Sequence, residues 1–582
     1  MSSPSPSARL AGRYPFPVVL GAVALALCYA AVAQTHYPGG SDAPYHILTA
    51  RAWFGGHGFN PADPTQTKYP PGWPLVLGAV GTVIGGTYSH FARFTAALFP
   101  LVLAATWLFV RRRSGSALAA GITAAVAFSP ACFIAATRGV RTEVLFTAAA
   151  LGFLAWGERA FAERRISVVR VLTGTILLVG AILLRTIGIA LLLATAATIA
   201  HLLVFDRPRA RRVGARAAIP ACAAALALAT WQRMHGAAPA ERYVGEKMNL
   251  YDNQFLLIDP HRPTLGVASI IDILARVPGN LRMIAAHASE MLTNLDWISP
   301  VWTSPLLVAV FVLLVVGMVR ELRRAVPLPA YYLLAYVGIL SVWPFDEGQR
   351  FLVPIFPLLT LLAFSGSRDV VRFFRVHGSL TGRMVAAVSA LEVGALLQQW
   401  FSEPAEFGRQ SSAAIACWFV ALAVSAYYSR SPGDPAHSVK PRPVGIVCLS
   451  FVAAIGIVQI GAAVRSNWRS DRESSGFDLA SDWIRRNTDS SAVVMAQFQP
   501  DFELTTGRRG AVFPVTSNRA VLLRAVRGTG ARYLVVYDAI PEDAYYFPLE
   551  TDRLAMINTA SRNRVVLRLR HNEVSVYELP SP

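Results

Sequence analysis

Two charged side chains in one short segment are the first candidates for chemistry. Asp42 stands in SDAPYH, and Lys68 stands in KYPPGWP. A carboxylate can orient a hydroxyl group or accept its proton, and a lysine ammonium is a compact charge suited to phosphate. Asp42 also fits a helix cap, because Ser-Asp-x-Pro is a common helix start. Lys68 also fits a lysine that extends to lipid headgroups, so both alternatives stay open here.

Aromatic and imidazole side chains flank the two charges. We expect Tyr45, His46, Tyr69 and Trp73 to line a substrate site, since tyrosine and tryptophan are typical of the membrane interface. Asp42 and His46 are four residues apart and could chelate a divalent ion together with a further histidine of the segment. A metal is possible but not favoured, and the prediction is that no cofactor is needed.

Charged residues recur at three later points, each bounded by apolar sequence. ATRGVRTEVLF contains Arg138, Arg141 and Glu143, LLRTIG contains Arg185, and WPFDEGQRFLVP contains Arg350. Charges placed within apolar stretches are costly, so they are usually paired or functional. Each of them alone also fits a structural ion pair.

The elements that must position these residues are membrane helices. The chain has 582 residues, of which 54% are hydrophobic and 15% are charged, whereas soluble domains have about 25% charged residues. Apolar runs of span length recur along it, which predicts an all-α polytopic membrane protein. About thirteen spans are expected, at 16–33, 91–110, 116–136, 144–157, 168–184, 186–204, 217–233, 301–319, 329–345, 351–366, 384–400, 412–428 and 443–463.

The basic residues indicate the orientation of these spans. The net charge of +19 is concentrated in short loops between apolar runs, as the positive-inside rule requires, so we exclude nucleic acid as a partner. With the N-terminus inside, the loops 34–90 and 234–300 and the tail from 465 face outward. The apolar stretch 72–87 must then not cross, and we expect an outer-leaflet or re-entrant helix there. A cleaved secretory signal at the N-terminus would leave this placement unchanged.

Two domains follow from the patterns. Residues 1–464 are expected to form the membrane domain, in which 234–300 contributes two amphipathic stretches along the interface. Residues 465–582 are expected to form a small extracytoplasmic α/β domain. Its predicted elements are an Asp-capped helix at DLASDWIRRN, strands at SAVVMAQ and ARYLVVYD, a helix at NRAVLLRAVRGTG and a hairpin at RVVLRLRHNEVSVYEL.

Four segments together carry a resemblance to a known family. SDAPYHILTARAWFGGHGF, TKYPPGWPLVLG, RTEVLF and RFLVPIFPLL, in this order, resemble the polyprenyl-phosphate-sugar-dependent glycosyltransferases of the GT-C fold. The bacterial protein O-mannosyltransferase and lipid A aminoarabinose transferase-like group is the part of that family most similar to them. The expected topology, with a first outer loop and a soluble outer tail, is similar as well.

The resemblance implies roles for individual residues. Asp42 takes the place of the acid that acts as base or positions the acceptor. Glu143 takes the place of a second acid that is often Asp in the family. Lys68 and Arg350 match the residues that contact the donor phosphate, and we add Arg185 to this group. Arg138 and Arg141 join the residues expected to line the substrate site.

The implied function is transfer of a single sugar, with inversion, from a polyprenyl-phosphate-linked donor to an acceptor hydroxyl. The expected partners are this donor, membrane lipid, and an acceptor that is a protein, a lipid or a glycan. The expected location is the plasma (cell inner) membrane, with the active site outside the cytoplasm. Two other classes remain open: a transporter or flippase of lipid-linked sugars, and a membrane scaffold with an outer glycan-binding domain.

Overall fold

The computed structural model shows a helical bundle followed by a small β-sheet. It describes residues 42–59, 64–163, 167–234, 254–293, 305–376, 475–537, 548–560, 565–571 and 574–579, together with a few isolated residues that include Tyr37. The predicted spans at 16–33, 384–400, 412–428 and 443–463 lie almost entirely outside these residues.

The bundle is built from the helices between residues 42 and 376. In chain order they are α1 Ala43–Phe54, α2 Pro64–Thr67, α3 Gly72–Ile84, α4 Tyr88–Ala97, α5 Phe99–Ser114, α6 Ser116–Ala127, α7 Pro130–Thr137, α8 Glu143–Ala162, α9 Val168–Leu184, α10 Ile189–Phe205, α11 Arg207–Met234, α12 Ile270–Thr293, α13 Pro305–Leu322, α14 Leu328–Ser341 and α15 Phe356–Val376. Short 3₁₀ turns are formed by Thr186–Gly188, Pro263–Leu265 and Gly348–Ile355.

Several of these helices are suited to a membrane. Among the described residues, four are long and apolar enough to cross one, and two bent helix pairs raise the number to six. The helices α3, α9 and α14 are apolar but shorter. Each span predicted between residues 91 and 366 coincides with a helix or a bent helix pair, whereas the total of thirteen spans is not established.

Loops predicted to share one side of the membrane meet in the structure. Arg113, in the basic last turn of α5, is ion-paired with Glu158 near the end of α8 and with Glu321 near the end of α13. Arg209 donates hydrogen bonds to the carbonyl groups of Phe161 and Ala325. All six residues belong to, or adjoin, loops that the charge pattern assigns to the inside. The alternation of sides read from the sequence therefore agrees with the packing.

The helix α3 covers most of the apolar stretch 72–87. It has 13 residues, which at ~1.5 Å per residue makes it about 20 Å long, less than the ~30 Å of a bilayer's hydrocarbon core. It ends at Gly85, whose φ is +90°, a backbone conformation that favours glycine. Its length therefore fits the outer-leaflet or re-entrant helix expected from the sequence.

The second outer loop contains the amphipathic stretches identified in the sequence. Its two amphipathic stretches form the single helix α12, which has 24 residues and contains Pro278. Ile270 and Ile271 are exposed by 75% and 74%, as expected for a helix with one apolar side at an interface. The two stretches are joined because the helix continues through Pro278.

Residues 475–579, which we call the C-terminal unit, contain a five-stranded sheet. Its elements are α16 Gly476–Asn487, β1 Val493–Ala496, α17 Gln499–Thr506, β2 Arg509–Val512, α18 Arg519–Thr529, β3 Tyr533–Tyr537, α19 Glu550–Ala560, β4 Val566–His571 and β5 Val574–Glu578. The strand order is β2-β1-β3-β5-β4, in which β1 pairs in parallel with β2 and β3, and β5 pairs antiparallel with β3 and β4.

The predicted strands, the C-terminal hairpin and the helix α18 are confirmed, while α17, β2 and α19 were not predicted. The first helix of the unit is also corrected. Its N-cap is Ser475, and Asp478 at the third helical position completes a reciprocal capping box. The helix therefore begins before the aspartate that was expected to cap it.

Candidate active site

Asp42 occupies the N-cap position of α1, but its side chain does not cap the helix. One carboxylate oxygen, Oδ1, accepts a 2.5 Å hydrogen bond from the Tyr69 hydroxyl. The other, Oδ2, accepts a 2.6 Å hydrogen bond from Nη2 of Arg350. The side chain is 28% exposed. The helix-cap alternative is therefore wrong for this carboxylate, which is directed at a tyrosine and an arginine instead.

Glu143 is the first residue of α8, and its side chain is fully buried. Its Oε1 accepts hydrogen bonds from Nε of Arg350 and pairs with Nη1 of Arg185 at 2.7 Å. Its Oε2 has no hydrogen-bond partner in the described part of the chain. A negative charge is favourable in the first turn of a helix, and the two guanidinium groups compensate the cost of burying it.

Arg350 joins these two carboxylates. It lies in the 3₁₀ turn Gly348–Ile355, which precedes α15. Besides Asp42 and Glu143, it contacts Glu347 through Nη1 at 3.4 Å. One guanidinium group therefore meets three carboxylates from three separate segments of the chain.

Arg185 interrupts the longest apolar stretch because the helix stops there. It is the C-cap of α9, with an extended backbone (φ −149°, ψ 135°), and the turn Thr186–Gly188 follows it. Its Nη1 donates a 3.2 Å hydrogen bond to the Thr142 hydroxyl, in addition to its ion pair with Glu143. Its guanidinium carbon lies 5.7 Å from the centre of the Phe351 ring. The charge of Arg185 is thus paired with Glu143, which also contacts Arg350.

Lys68 lies in the turn between α2 and α3. Its Nζ is 4.2 Å from the centre of the Tyr45 ring and 5.3 Å from that of Tyr69, a cation–π arrangement. The two rings meet edge to face with their centres 5.6 Å apart. In this structure Lys68 is therefore held over two aromatic rings.

His46 and Trp73 are both buried, and His46 lies beside the ring of Tyr69. The His46 ring is 4.7 Å from that of Tyr69, and its Nδ1 has no hydrogen-bond partner among the described residues. Burial lowers the pKa of His46 to about 4, so the imidazole is neutral at pH 7. Trp73 is fully buried and stacks on Phe94 with ring centres 6.2 Å apart. Its contacts are those of a core residue, and its role in lining a substrate site stays a prediction.

The remaining predicted residues lie in the turn before α8. Arg138 is the C-cap of α7. The Nε atom of Arg141 is buried, and no hydrogen-bond partner for it is found in the described ranges. Burial and the positive charge of Arg350 lower the pKa of Arg141, while the charges of Glu143 and Asp42 oppose this shift. Arg141 is therefore a further cation within electrostatic reach of the two carboxylates.

The cations determine the ionisation of Asp42. Burial alone would raise the pKa of this carboxyl group, but Arg350, Lys68 and the hydrogen bond from Tyr69 outweigh it and hold the pKa well below its usual value. Asp42 is therefore ionised at every physiological pH. With Arg350 in contact, it is a weak proton acceptor, because its negative charge is already compensated.

Sequence reasoning placed Glu347 in the same outer turn as Arg350 but did not predict their contact. Its spacing of three residues from Arg350 is one that places two side chains on one side of a helical turn. Thr142 was missed, because nothing in the sequence around it marks it as a partner of Arg185. No group of three or more His, Cys, Asp or Glu side chains is arranged for a metal ion within the described residues, and His36 lies outside them.

Comparison with solved structures identifies the fold. The chain superposes on ArnT from Cupriavidus metallidurans bound to undecaprenyl phosphate with a TM-score of 0.56 at 15% sequence identity, covering 96% of this chain and 97% of that one. The chain has the GT-C fold. The same protein in the apo state matches with a TM-score of 0.54, 15% identity and the same coverage. No protein-family model matches the sequence, and no curated protein does.

The chain is also similar in structure to the Archaeoglobus fulgidus oligosaccharyltransferase tethered with an acceptor peptide. It has a TM-score of 0.47 and 11% identity, and it covers 90% of this chain and 69% of that one. The GT-C fold inferred from four short motifs is thus confirmed by the structure with ArnT. At this level of identity the likeness concerns the fold, and the site must be interpreted from its own residues.

Proposed function

We propose that this chain is a membrane glycosyltransferase that moves one sugar from a polyprenyl-phosphate donor to an acceptor hydroxyl. The observation that carries the proposal is the guanidinium of Arg350, which contacts both Asp42 and Glu143. A carboxylate for the acceptor and a cation for the donor phosphate are thereby adjacent. The GT-C fold and the undecaprenyl phosphate bound to ArnT support a lipid phosphate as the donor's carrier.

The donor phosphate binds to Lys68, Arg350 and Arg185 in this proposal. Phosphate oxygens accept from a guanidinium in the same paired geometry as a carboxylate, so the phosphate competes with Asp42 for Arg350. Arg141, with its buried Nε, adds positive charge on the same side. Neutralising these cations raises the proton affinity of Asp42, because their charges are what lowers it. Donor binding thus makes Asp42 a stronger base.

The transfer step follows from these positions. The acceptor hydroxyl, oriented by Asp42, attacks the anomeric carbon on the side opposite the phosphate. The bond between that carbon and the phosphate oxygen breaks, the polyprenyl phosphate leaves as an anion beside Arg350 and Lys68, and the hydroxyl proton passes to Asp42. A single displacement inverts the anomeric configuration and needs no covalent intermediate on the protein. Glu143 holds Arg350 and Arg185 in place.

The setting of the reaction completes the proposal. The site lies outside the cytoplasm in the plasma (cell inner) membrane, and the acceptor is a protein, a lipid or a glycan of the cell envelope. Membrane lipid surrounds the bundle, and no cofactor takes part. Residues 1–464 form the transferase domain, and residues 465–582 form an extracytoplasmic domain.

Purified protein incubated with labelled polyprenyl-phosphate sugar and a cell-envelope extract tests this function. We expect label in a new product with inverted configuration, and loss of that product in Arg350→Ala. Arg320→Ala is the matched control, since Arg320 forms a half-exposed ion pair with Asp369 and such pairs contribute little. A donor that stays intact, or that crosses the bilayer of a vesicle intact, contradicts the transferase and favours a flippase.

A further inference from the structure

The C-terminal unit packs directly on the helix that begins after Asp42. Its short helix α17 lies against α1, and the buried side chains of Phe477 and Phe502 belong to the same hydrophobic core as Ala43 and Ile47. A domain that only tethers or recognises a distant partner needs no such shared core. The unit therefore contacts the element that positions the proposed base.

Tyr37, five residues before Asp42 in the sequence, is enclosed by this contact. It is 3% exposed, and its ring lies 5.2 Å from that of Tyr88 and 6.0 Å from that of Phe477. Its hydroxyl donates a 3.1 Å hydrogen bond to Oδ1 of Asp501. Tyr37 is thus held on one side by the bundle and on the other by the C-terminal unit.

Asp501 stands in the first turn of α17 and is itself 3% exposed. A carboxylate in the first turn of a helix is stabilised by the helix dipole, yet its burial is costly unless partners compensate it. Such a group in the contact between two units is expected to have a role beyond packing. Its hydrogen bond with Tyr37 accounts for one oxygen.

The charge of Asp501 also reaches the site. Burial lowers the pKa of Lys68, and the negative charges of Asp42, Glu347 and Asp501 oppose that shift, while the positive charge of Arg350 adds to it. The rings of Tyr45 and Tyr69 lie next to the ammonium. Of the three acids, Asp501 is supplied by the C-terminal unit.

We propose that Asp501 is a positioning residue of the transfer site, which holds Tyr37 by a hydrogen bond beside α1 and supports the ammonium of Lys68 with its charge. The C-terminal unit is then a part of the site and is needed for turnover. This inference rests on the proposed function, because Lys68 and Asp42 act on the donor and the acceptor only in a transferase.

Binding of undecaprenyl phosphate to the purified full chain, measured against pH, tests the charge of Asp501. Asp501→Asn keeps an oxygen for the Tyr37 hydroxyl and removes only the negative charge. We expect the alkaline midpoint, where Lys68 loses its proton and affinity falls, to move down by about 0.5–1 pH unit. The matched control is Asp482→Asn on the neighbouring helix α16, where Asp482 is exposed and paired with Arg485; its midpoint should equal that of the wild type.

Tyr37→Phe tests the hydrogen bond between Tyr37 and Asp501. If Asp501→Asn does not fold, the proposal is judged from Tyr37→Phe alone. This substitution keeps the ring between Tyr88 and Phe477 and removes one hydrogen bond. Turnover should fall about 3–10-fold, with an almost unchanged unfolding temperature. Wild-type turnover in Tyr37→Phe, or a wild-type midpoint in folded Asp501→Asn, overturns the proposal. A wild-type chain that binds no undecaprenyl phosphate at any pH contradicts the proposed function instead, so the two failures are distinguishable.

Discussion

Removing the charge of Arg350 from water costs free energy that its neighbours must compensate. Its side chain and that of Asp42 are 22% and 28% exposed, and that of Glu143 is fully buried. Desolvation of such charges often exceeds their mutual attraction, so a cluster of this kind is weak evidence for stability. Clusters of opposed charges whose pKa values are strongly shifted are instead typical of functional sites. In the proposed function, the donor phosphate is the anion that exchanges with these carboxylates.

Asp42→Asn separates a base from a structural carboxylate. The asparagine oxygen can still accept the Tyr69 hydrogen bond, but it cannot take a proton, so turnover should fall by about 10²–10⁴. Donor affinity should stay the same or rise, because Arg350 loses a competing anion. Steady-state kinetics and donor binding on the same folded sample measure both. Full turnover would exclude Asp42 as the base and leave Glu143 as the next candidate.

The sequence predicts the members of the site better than their contacts. Asp42, Lys68, Glu143, Arg185 and Arg350 were all selected from motifs and from charges in apolar sequence, and the structure brings them together. Their pairing could not be read, because each pair joins segments far apart in the chain. The strong ionisation of Asp42 follows from that pairing, so it too was outside the reach of the sequence.

At the scale of elements, a glycine sets how closely two segments approach. A Cβ atom at Gly72, which starts α3, would lie 2.7 Å from the carbonyl carbon and oxygen of Leu183, near the end of α9. Backbone atoms cannot move aside as a flexible side chain can. The turn that contains Lys68 is therefore placed against the residues just before Arg185 by the absence of a side chain.

Gly72→Ala should disturb both fold and site. We expect a loss of about 1–3 kcal/mol in the free energy of unfolding, together with weaker donor binding, as Lys68 and Arg185 are forced apart. Thermal unfolding and a binding titration measure the two effects. Gly86→Ala is the matched control, since a Cβ there meets nothing within 4 Å. Equal behaviour of the two variants would show that the close approach is not needed.

A histidine connects α12 to the turn that carries Arg350. His287 Nδ1 lies 2.9 Å from Glu290 Oε2, and its Nε2 lies 3.1 Å from Asp346 Oδ1. Hydrogen bonds with Asp346 and Glu290 raise its pKa from 6.5 to about 9. Because the pKa is higher in the folded state, protonated His287 stabilises the fold fully below pH 6.5, and this contribution is lost as the pH rises through 9.

The wild-type unfolding temperature should therefore fall between pH 6.5 and pH 9, by about 2–5 °C from this residue. The unfolding temperature of His287→Gln should fall less over this pH range, and this variant should be less stable than the wild type at pH 6. Calorimetry or fluorescence-monitored unfolding at several pH values measures it. Parallel pH curves for the two proteins would mean that His287 does not titrate in this range.

Helices were easier to predict than strands for a physical reason. Apolar runs of span length are long and periodic, and those between residues 91 and 366 all fall on helices. In the C-terminal unit, β2 has only four residues, RGAV, and α17 has eight, which is too short for a clear period. Their positions depend on contacts with other parts of the chain: β2 pairs with β1, and α17 packs against α1.

At the scale of the whole molecule, residues next to loops predicted to be inside contact one another, as Arg113 does with Glu158 and Glu321, and residues from loops predicted to be outside meet at the site. This grouping predicts that position 112 is cytoplasmic, while positions 60 and 520 face outward. Single cysteines at these positions in a cysteine-free background, labelled in intact cells, test it. Label at 60 and 520 alone is expected before permeabilisation. External labelling of 112 would require α3 to cross the membrane and would change the number of spans.

The most direct test of the proposed function is the affinity of the purified chain for undecaprenyl phosphate. Charge-assisted hydrogen bonds contribute about 1.5–3 kcal/mol, so Arg350→Ala and Lys68→Ala should each weaken binding roughly 10–100-fold. Arg350→Lys should recover only part of it, because a lysine cannot reproduce a paired guanidinium contact. Arg320→Ala should bind as the wild type does. Unchanged affinity in both alanine variants would contradict a donor phosphate held by Arg350 and Lys68.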